Sequence, residues 1–416
     1  MPVTVARVRP RARCSAPGAC STLSPMSPLR VLLFLVVLTT ISLAVHRLFY
    51  VRLVRDVTTS PKRRRWGAGV LIALAVSVPT GLTLWRWIGA DAARGISFVG
   101  SAWAGVLFFL LVSLLAMDGV RLVARVVARK PWASTGVVDL GRRRFLARTV
   151  AGVAASGAAG LASAALVEGA RPPEIVEVPV PVARLPAAFA GFRIAQLSDV
   201  HVGPLLRRPF LDDLVRRTNA LRPDLIAITG DLVDGSVDDL RDVVAVLADL
   251  RAPHGVWFTT GNHEYYMGAD PWIAHLETLG VRTLRNARVA ITRDGASIDL
   301  AGIDDPTGAG FPGHGPDLAR ALAGRDPARP VVLLAHQPKQ VRDAQRLGVD
   351  VQLSGHTHGG QIAPFGWLVR LVQPAVAGLH RFGPTWLYVS RGAGTWGPPM
   401  RLANPAEIAV VELRPA

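Results

Sequence analysis

Cysteine is nearly absent from this 416-residue chain. The two cysteines, Cys14 and Cys20, both lie in a Pro/Arg-rich leader. The rest of the chain therefore has no disulfide and no thiolate metal site, and any metal bound there must have nitrogen and oxygen ligands.

Acidic residues are scarce in one part of the chain only. Residues 1–170 hold 22 basic and 5 acidic residues, whereas residues 171–416 hold 25 of each, so the first part carries the whole net charge of +17. The basic clusters flank apolar runs and lack interleaved aromatics or a nucleic-acid-binding module. We therefore expect no nucleic-acid partner.

Charge is missing altogether from four long apolar runs after the low-complexity leader (residues 1–28). They are Val31–Val45, Trp66–Trp85, Gly95–Met117 and Thr149–Val167. A membrane-spanning helix needs about 20 apolar residues. The runs predict a membrane domain over residues 29–170 with three to four transmembrane helices and lipids as neighbours.

Basic residues concentrate in two of the connections, Arg52–Arg65 and Asp118–Arg148. The positive-inside rule places both in the cytoplasm, so the chain is expected to be a multi-pass cell-membrane protein whose C-terminal domain is non-cytoplasmic. This orientation also places the arginine-rich leader outside. Translation starting at Met26 instead of Met1 would remove that conflict.

The fourth run, Thr149–Val167, has two interpretations. It follows Arg142-Arg143-Arg144-Phe145-Leu146, which is similar to a twin-arginine export signal, and it ends near Ala162-Ser163-Ala164, which is similar to a cleavage site. It is either a fourth membrane helix or a cleaved export signal. Both place the following residues outside the cytoplasm.

Five prolines indicate that residues 171–186 form an extended linker. Beyond it, over residues 187–416, short β-branched runs alternate with amphipathic segments. A hairpin is predicted over Val289–Ile303, turning at Asp294-Gly295. The alternation predicts an α/β domain with mixed sheets.

Metal-binding residue types follow five of the predicted strands. In chain order they are Asp199 and His201, Asp231, Asn262 and His263, His336, and His356 and His358. Ligands bind at strand ends in α/β sheets, and imidazole, amide and carboxylate groups suit divalent ions such as Mn, Fe or Zn. Two such ions bridged by a carboxylate would neutralise a phosphoester and supply a metal-bridging hydroxide.

The order D-x-H, G-D, G-N-H-E, H, G-H-x-H resembles the calcineurin-like metallophosphoesterases, over nearly all of residues 190–415. The stretches Gly355–Gln361, Tyr388–Gly392 and Pro405–Ile408 are similar to the membrane-associated branch of that family. The resemblance implies a four-layer αββα sandwich of two mixed β-sheets flanked by helices, and a binuclear phosphoric ester hydrolase.

The resemblance also implies a role for each site residue. Asp199, His201 and His358 would bind one metal ion, and Asn262, His336 and His356 the other. Asp231 would bridge the two ions, and His263 would be the general acid. The expected substrate is a phosphomonoester, a phosphodiester or a lipid-linked pyrophosphate. The alternative function is a membrane-anchored sensor that binds phosphate ligands without turnover.

Three further features have open interpretations. Glu264 is expected to support its neighbours rather than to bind metal. Asp304 and Asp305 either orient a ligand histidine or form a plain turn. The apolar segment 365–379 either packs in the core, which is the favoured interpretation, or dips into the bilayer or grips an acyl chain.

Overall fold

The computed structural model of this chain describes residues 28–128 and 139–416. The predicted leader, with both cysteines and Met26, lies outside the described residues, apart from Pro28. The middle of the second basic connection lies outside them as well.

In the N-terminal part, as far as the structure describes it, four long apolar helices have the length and composition to cross a membrane. The helices are α1 (Pro28–Phe49), α2 (Pro61–Thr83), the short α3 (Trp85–Ile88), α4 (Ala90–Val127) and α5 (Leu140–Gly169). Between α1 and α2, residues Tyr50–Arg55 form a π-helix. The predicted apolar runs lie in these helices, and the fourth run is a helix packed on α4.

Small residues let these helices approach each other closely. A Cβ atom on Gly100 of α4 would lie 2.1 Å from the carbonyl oxygen of Ser77 on α2. Helix α5 buries Ala154, Ala158 and Ala162 at four-residue spacing. Contacts between small residues are typical of helix packing in membranes.

The C-terminal part contains two β-sheets. Its strands are β1 (Glu174–Val182), β2 (Phe192–Leu197), β3 (Leu225–Ile228), β4 (Val256–Phe258), β5 (Val281–Thr283), β6 (Ala287–Arg293), β7 (Ala296–Gly302), β8 (Val331–Leu334), β9 (Val351–Ser354), β10 (Gly378–Phe382), β11 (Thr385–Val389) and β12 (Glu407–Pro415). The first sheet has the order β1-β12-β2-β3-β4-β5, and the second has the order β10-β11-β9-β8-β7-β6. Both sheets are mixed, and the predicted hairpin is β6–β7.

The helices of this part are α6 (Arg208–Ala220), α7 (Val237–Val244), α8 (Asn262–Met267), α9 (Ala269–Thr278), α10 (Leu318–Leu322), α11 (Val341–Arg346) and α12 (Gly366–Val369). Apolar side chains of α6, α7 and α9 cover the outer face of the first sheet, and those of α10 and α11 cover the outer face of the second. The strand pleat divides the apolar side chains between two cores. On β3, Leu225 and Ala227 face the second sheet, while Ile226 and Ile228 pack with α6 and α7. These layers confirm the predicted αββα sandwich.

The predicted linker is the main correction to the domain layout. Its central part is β1, which pairs in parallel with β12 from Glu174↔Glu407 to Val182↔Pro415. The prolines are compatible with a strand because β1 lies at the sheet edge, where one row of backbone groups makes no ladder bonds. Alternate residues Val178, Val180 and Val182 are buried in the core between the sheets.

The membrane helices and the sandwich are in direct contact. Ile362 and Met400 of the sandwich belong to the same apolar cluster as Phe109 of α4. The backbone N–H of Arg401 donates to the carbonyl of Ala165 near the end of α5 (2.9 Å). Arg207 forms a 2.6 Å ion pair with Asp91 at the start of α4.

Candidate metal centre

The predicted site residues meet where the strands of both sheets end. Five of them adopt left-handed backbone angles: Asp199 (φ 52°), His201 (51°), Asp231 (51°), His356 (69°) and His358 (51°). Non-glycine residues rarely adopt this conformation, and where they do it is typical of functional sites. The sharp turns direct successive side chains to one edge of the sandwich.

One group of candidate ligands joins the two sheets. Asp199, His201 and His358 each offer one ligand atom, all within 4.8 Å of one another. The Nε2 atoms of His201 and His358 are 3.0 Å apart, and Nε2 of His358 lies 3.4 Å from the Asp199 carboxylate. Asp199 also accepts hydrogen bonds from the backbone N–H of His356.

A second group lies beside the first. Asp231, His336 and His356 form another set of clustered ligand atoms. Nε2 of His336 is 3.1 Å from Oδ2 of Asp231 and 3.2 Å from Oδ1 of Asn262. Nδ1 of His356 lies 2.9 Å from the same Asn262 oxygen. The structure therefore brings all the predicted ligands together.

Hydrogen bonds orient two of these imidazoles. Nδ1 of His336 lies 2.7 Å from the carbonyl oxygen of Thr229, which can only accept, so Nδ1 carries the proton and Nε2 faces Asp231. Nδ1 of His201 lies 3.1 Å from the carboxylate of Asp234, which leaves its Nε2 atom to face His358. Metal-binding histidines are oriented by such contacts.

Asp234 is a site residue that sequence reasoning missed. Its Oδ1 atom lies 2.5 Å from Nδ1 of His263 and 3.1 Å from Nδ1 of His201, so one carboxylate holds both rings. Asp234 belongs to a third set of clustered ligand atoms, with His201 and His263. The sequence does contain a second aspartate three residues after Asp231, which could have indicated this role.

The charges around His263 favour its protonated form. Burial by itself would lower the pKa of His263, but the carboxylates of Asp231 and Asp234 outweigh it and raise the pKa to about 9. Its Nε2 atom lies 4.0 Å from Asp231, facing the second ligand group.

Glu264 binds backbone groups, as expected. Its buried carboxylate accepts hydrogen bonds from the N–H groups of Gly261 (2.6 Å), Leu232 (2.8 Å) and Asp231 (3.0 Å). It thereby ties the loop that carries Asp231 to the first turn of α8, which carries Asn262 and His263.

Asp304 and Asp305 do not bind a ligand histidine. Asp304 pairs with Arg285 at 2.9 Å. Asp305 accepts from the side chain of Gln337 at 2.9 Å. Both aspartates support the loops behind the site.

The family-like stretches near the C-terminus form a buried polar cluster behind the site. The Tyr388 hydroxyl donates to Glu407 at 2.6 Å, and Arg391 pairs with the same carboxylate at 2.5 Å. The buried guanidinium of Arg401 donates to the carbonyls of Gly392 and Gly394. Sequence alone gave no signal for this role of Arg401.

The donor set fits divalent metal ions. Burial and nearby positive charge lower the pKa of His356 to about 3 and also lower the pKa of His358, so both rings are neutral, as a metal ligand must be. Burial would also lower the pKa of His336, but the Asp231 carboxylate outweighs it and raises that pKa, so His336 would release a proton when it binds a metal. Nδ1 of His358 is buried and has no hydrogen-bond partner among residues 28–128 and 139–416. Imidazole nitrogen and carboxylate oxygen are ligands for Zn, Mn and Fe.

The site residues lie in a stretch that matches a family of known proteins. The family described as calcineurin-like phosphoesterase matches residues 192–360. A transmembrane protein with metallophosphoesterase domain from Danio rerio is 34% identical over 367 residues, covering 86% of this chain and 82% of that protein. A protein of the same description from Bos taurus is 38% identical over 332 residues, covering 77% and 74%. An uncharacterised metallophosphoesterase from Helicobacter pylori is 40% identical over 250 residues, covering 60% of this chain and 66% of that protein.

Proposed function

This chain belongs to the calcineurin-like phosphoesterases, and we propose that it is a membrane-anchored hydrolase of phosphoric esters that uses two divalent metal ions. The substrate is a phosphomonoester, a phosphodiester or a lipid-linked pyrophosphate. The observation that carries this proposal is the convergence of two ligand groups, one around Asp199 and one around Asp231, beside the imidazole of His263.

The residues divide naturally between two ions. Asp199, His201 and His358 would hold one ion, and Asn262, His336 and His356 would hold the other. Asp231 would offer its carboxylate to both ions: it belongs to the second group, and its loop follows β3, which pairs with β2, the strand that precedes Asp199. Bound Mn, Fe or Zn would supply positive charge to phosphate oxygens and acidity to a water molecule.

His263 supplies the proton for the leaving oxygen. Its pKa of about 9 keeps the ring protonated at neutral pH, and the Asp234 contact at Nδ1 directs Nε2 towards the ligand cluster. A donor held in one orientation requires little reorganisation in the transition state.

The sandwich lies on the non-cytoplasmic side of the cell membrane in this proposal. The support is the concentration of basic residues in the connections at the opposite ends of the apolar helices. A reporter enzyme that is active only outside the cytoplasm, fused after Ala416, should be active. Activity of a cytoplasm-specific reporter at the same position would reverse the orientation.

The hydrolase is tested with the full-length chain in detergent, supplied with Mn²⁺ or Zn²⁺. We expect cleavage of 4-nitrophenyl phosphate or bis(4-nitrophenyl) phosphate, and loss of at least about a hundredfold in rate for Asp231→Asn. Asp213→Asn, on the half-exposed face of α6, is the matched control. A metal-loaded protein that binds phosphate but cleaves neither ester would indicate the sensor instead.

A further inference from the structure

An apolar elbow lies beside the candidate metal centre. Residues Phe365–Val372, which we call the elbow, comprise α12 and the turn that follows it. Trp367, Leu371 and Val372 are 73%, 79% and 73% exposed, and Phe365 and Leu368 are also exposed. The favoured prediction of core packing for this segment is therefore wrong for these side chains. So large an apolar patch is typical of an interaction surface.

The elbow is continuous with the membrane helices. The ring of Phe365 packs edge-on against Phe108 of α4, with centroids 6.2 Å apart. Nearby, the absence of a side chain at Gly105 leaves room for Met400, because a Cβ atom at Gly105 would lie 2.3 Å from the Met400 sulfur. Both α4 residues fall in the uncharged section between Arg94 and Asp118.

The position of Phe108 indicates the depth of the elbow. Gly105 of α4 and Gly169 at the sandwich end of α5 both lie against Met400, since Cβ atoms there would be 2.3 Å from its sulfur and 3.0 Å from its Cα. Phe108 is three residues further from the sandwich along α4, so at 1.5 Å per residue it lies about 5 Å deeper than Gly105. The hydrocarbon core of a bilayer is about 30 Å thick, so Phe108 lies within it when α4 spans the membrane. Phe365, in contact with Phe108, then lies at the level of the acyl chains.

The elbow is also attached directly to the site. It follows the loop that carries His356 and His358, and a Cβ atom on Gly360 of that loop would lie 2.5 Å from the Cα of Gly366. The Gln361 side chain bonds the backbone N–H and carbonyl of Trp396 (both 3.0 Å). The half-exposed Trp396 ring lies 5.9 Å from His263. Direct contacts through Gly360, Gln361 and Trp396 thus connect the elbow to His263.

We propose that the elbow inserts into the membrane leaflet on the side of the sandwich, and that the phosphoester cleaved at the neighbouring site is carried by a lipid of that leaflet. The lipid substrate rests on the proposed function, whereas the insertion of the elbow does not depend on it. Arg370 of the elbow is exposed, and so is Lys339, whose backbone N–H donates to the side chain of Gln373 just after the elbow. Their long side chains reach lipid phosphates while the flanking apolar residues lie among the acyl chains.

Insertion is tested without reference to activity. In the full-length chain with Cys14→Ser and Cys20→Ser, the cysteine introduced by Leu371→Cys carries a fluorophore. The protein is placed in phosphatidylcholine vesicles whose acyl chains carry nitroxide groups, which quench a fluorophore that lies among them. The matched control is Leu347→Cys, an exposed leucine before β9, at the opposite end of that strand from His356. We expect several-fold stronger quenching at Leu371. Equal quenching at the two positions, or burial of Leu371 in a dimer of this chain, would overturn the proposal.

Lipid presentation is tested by comparing substrates in the same vesicles. Trp367→Ser with Leu371→Ser should lower hydrolysis of phosphatidic acid or phosphatidylglycerol by at least about tenfold, since the two lost side chains anchor the site at the leaflet. Hydrolysis of the soluble nitrophenyl esters should change less than about twofold, because neither residue belongs to the metal-binding groups. Leu347→Ser is the control.

The outcomes separate this inference from the proposed function. Parallel loss of both activities, or an unmutated protein that cleaves soluble esters and no lipid, would overturn the lipid substrate. Strong quenching at Leu371 in a protein that cleaves no ester would support insertion of the elbow and would contradict the proposed hydrolase activity.

Discussion

Nδ1 of His263 and Oδ1 of Asp234 are 2.5 Å apart, and the same carboxylate lies 3.1 Å from Nδ1 of His201. One acid therefore orients both the proposed proton donor and a proposed metal ligand. Burial by itself would raise the pKa of the Asp234 carboxyl, but its contacts with these two rings outweigh burial and hold that pKa well below the usual value.

Replacement of Asp234 by Asn should show whether this carboxylate orients the two histidines or contributes to substrate binding. We expect kcat to fall about 10- to 100-fold while KM changes little, since the carboxylate acts through His201 and His263. Steady-state kinetics on nitrophenyl esters measure both constants. Asp238→Asn, a highly exposed aspartate four residues later, should leave them unchanged. A normal kcat in Asp234→Asn would contradict the orienting role.

Replacement of Gly261 by Ala should displace Asp231. A Cβ atom at Gly261 would lie 2.2 Å from Oδ1 of Asp231 and 2.4 Å from its backbone nitrogen. Because the φ angle of Gly261 is an ordinary −98°, the expected defect comes from this contact alone. We predict at least about a tenfold loss of activity together with reduced metal content. Gly152→Ala on α5, where a Cβ meets nothing within 4 Å, should retain both.

Replacement of Glu264 by Gln tests the support behind the site. The amide keeps the size of the side chain but replaces one of the acceptor oxygens that face three backbone N–H groups. A buried donor left unpaired costs about 1–3 kcal/mol, so the midpoint of thermal unfolding should fall by several degrees. The exposed Glu277→Gln is the control. An unchanged midpoint would mean that these three hydrogen bonds contribute little.

Much of the sandwich was predictable because its strands are apolar runs that end in polar motifs. The runs Phe192–Leu197, Leu225–Ile228 and Val331–Leu334, each followed by a predicted site residue, all form strands. The strand β1 was missed because proline suggests a linker, and only its pairing with β12, more than 200 residues away, reveals the sheet. Pairing at such a distance leaves no local pattern.

The site was predictable as a set of residue types but not as a geometry. Ligands such as His201 and His358 are far apart in sequence, and their 3.0 Å approach depends on how the two sheets pack. Asp234 could have been found as an aspartate near a strand end. Arg401 could not, because its partners are backbone carbonyls, which every sequence offers equally.

Asp231 would join two metal ions in the proposed phosphoesterase. This role is tested by the metal content of the purified full-length chain, read together with its rate of nitrophenyl ester cleavage before and after chelation. We predict about two divalent ions per chain, loss of cleavage on chelation, recovery when metal is restored, and loss of both metal and cleavage in Asp231→Asn. Undiminished cleavage by the metal-free protein, or unchanged metal content and cleavage in Asp231→Asn, would contradict this role.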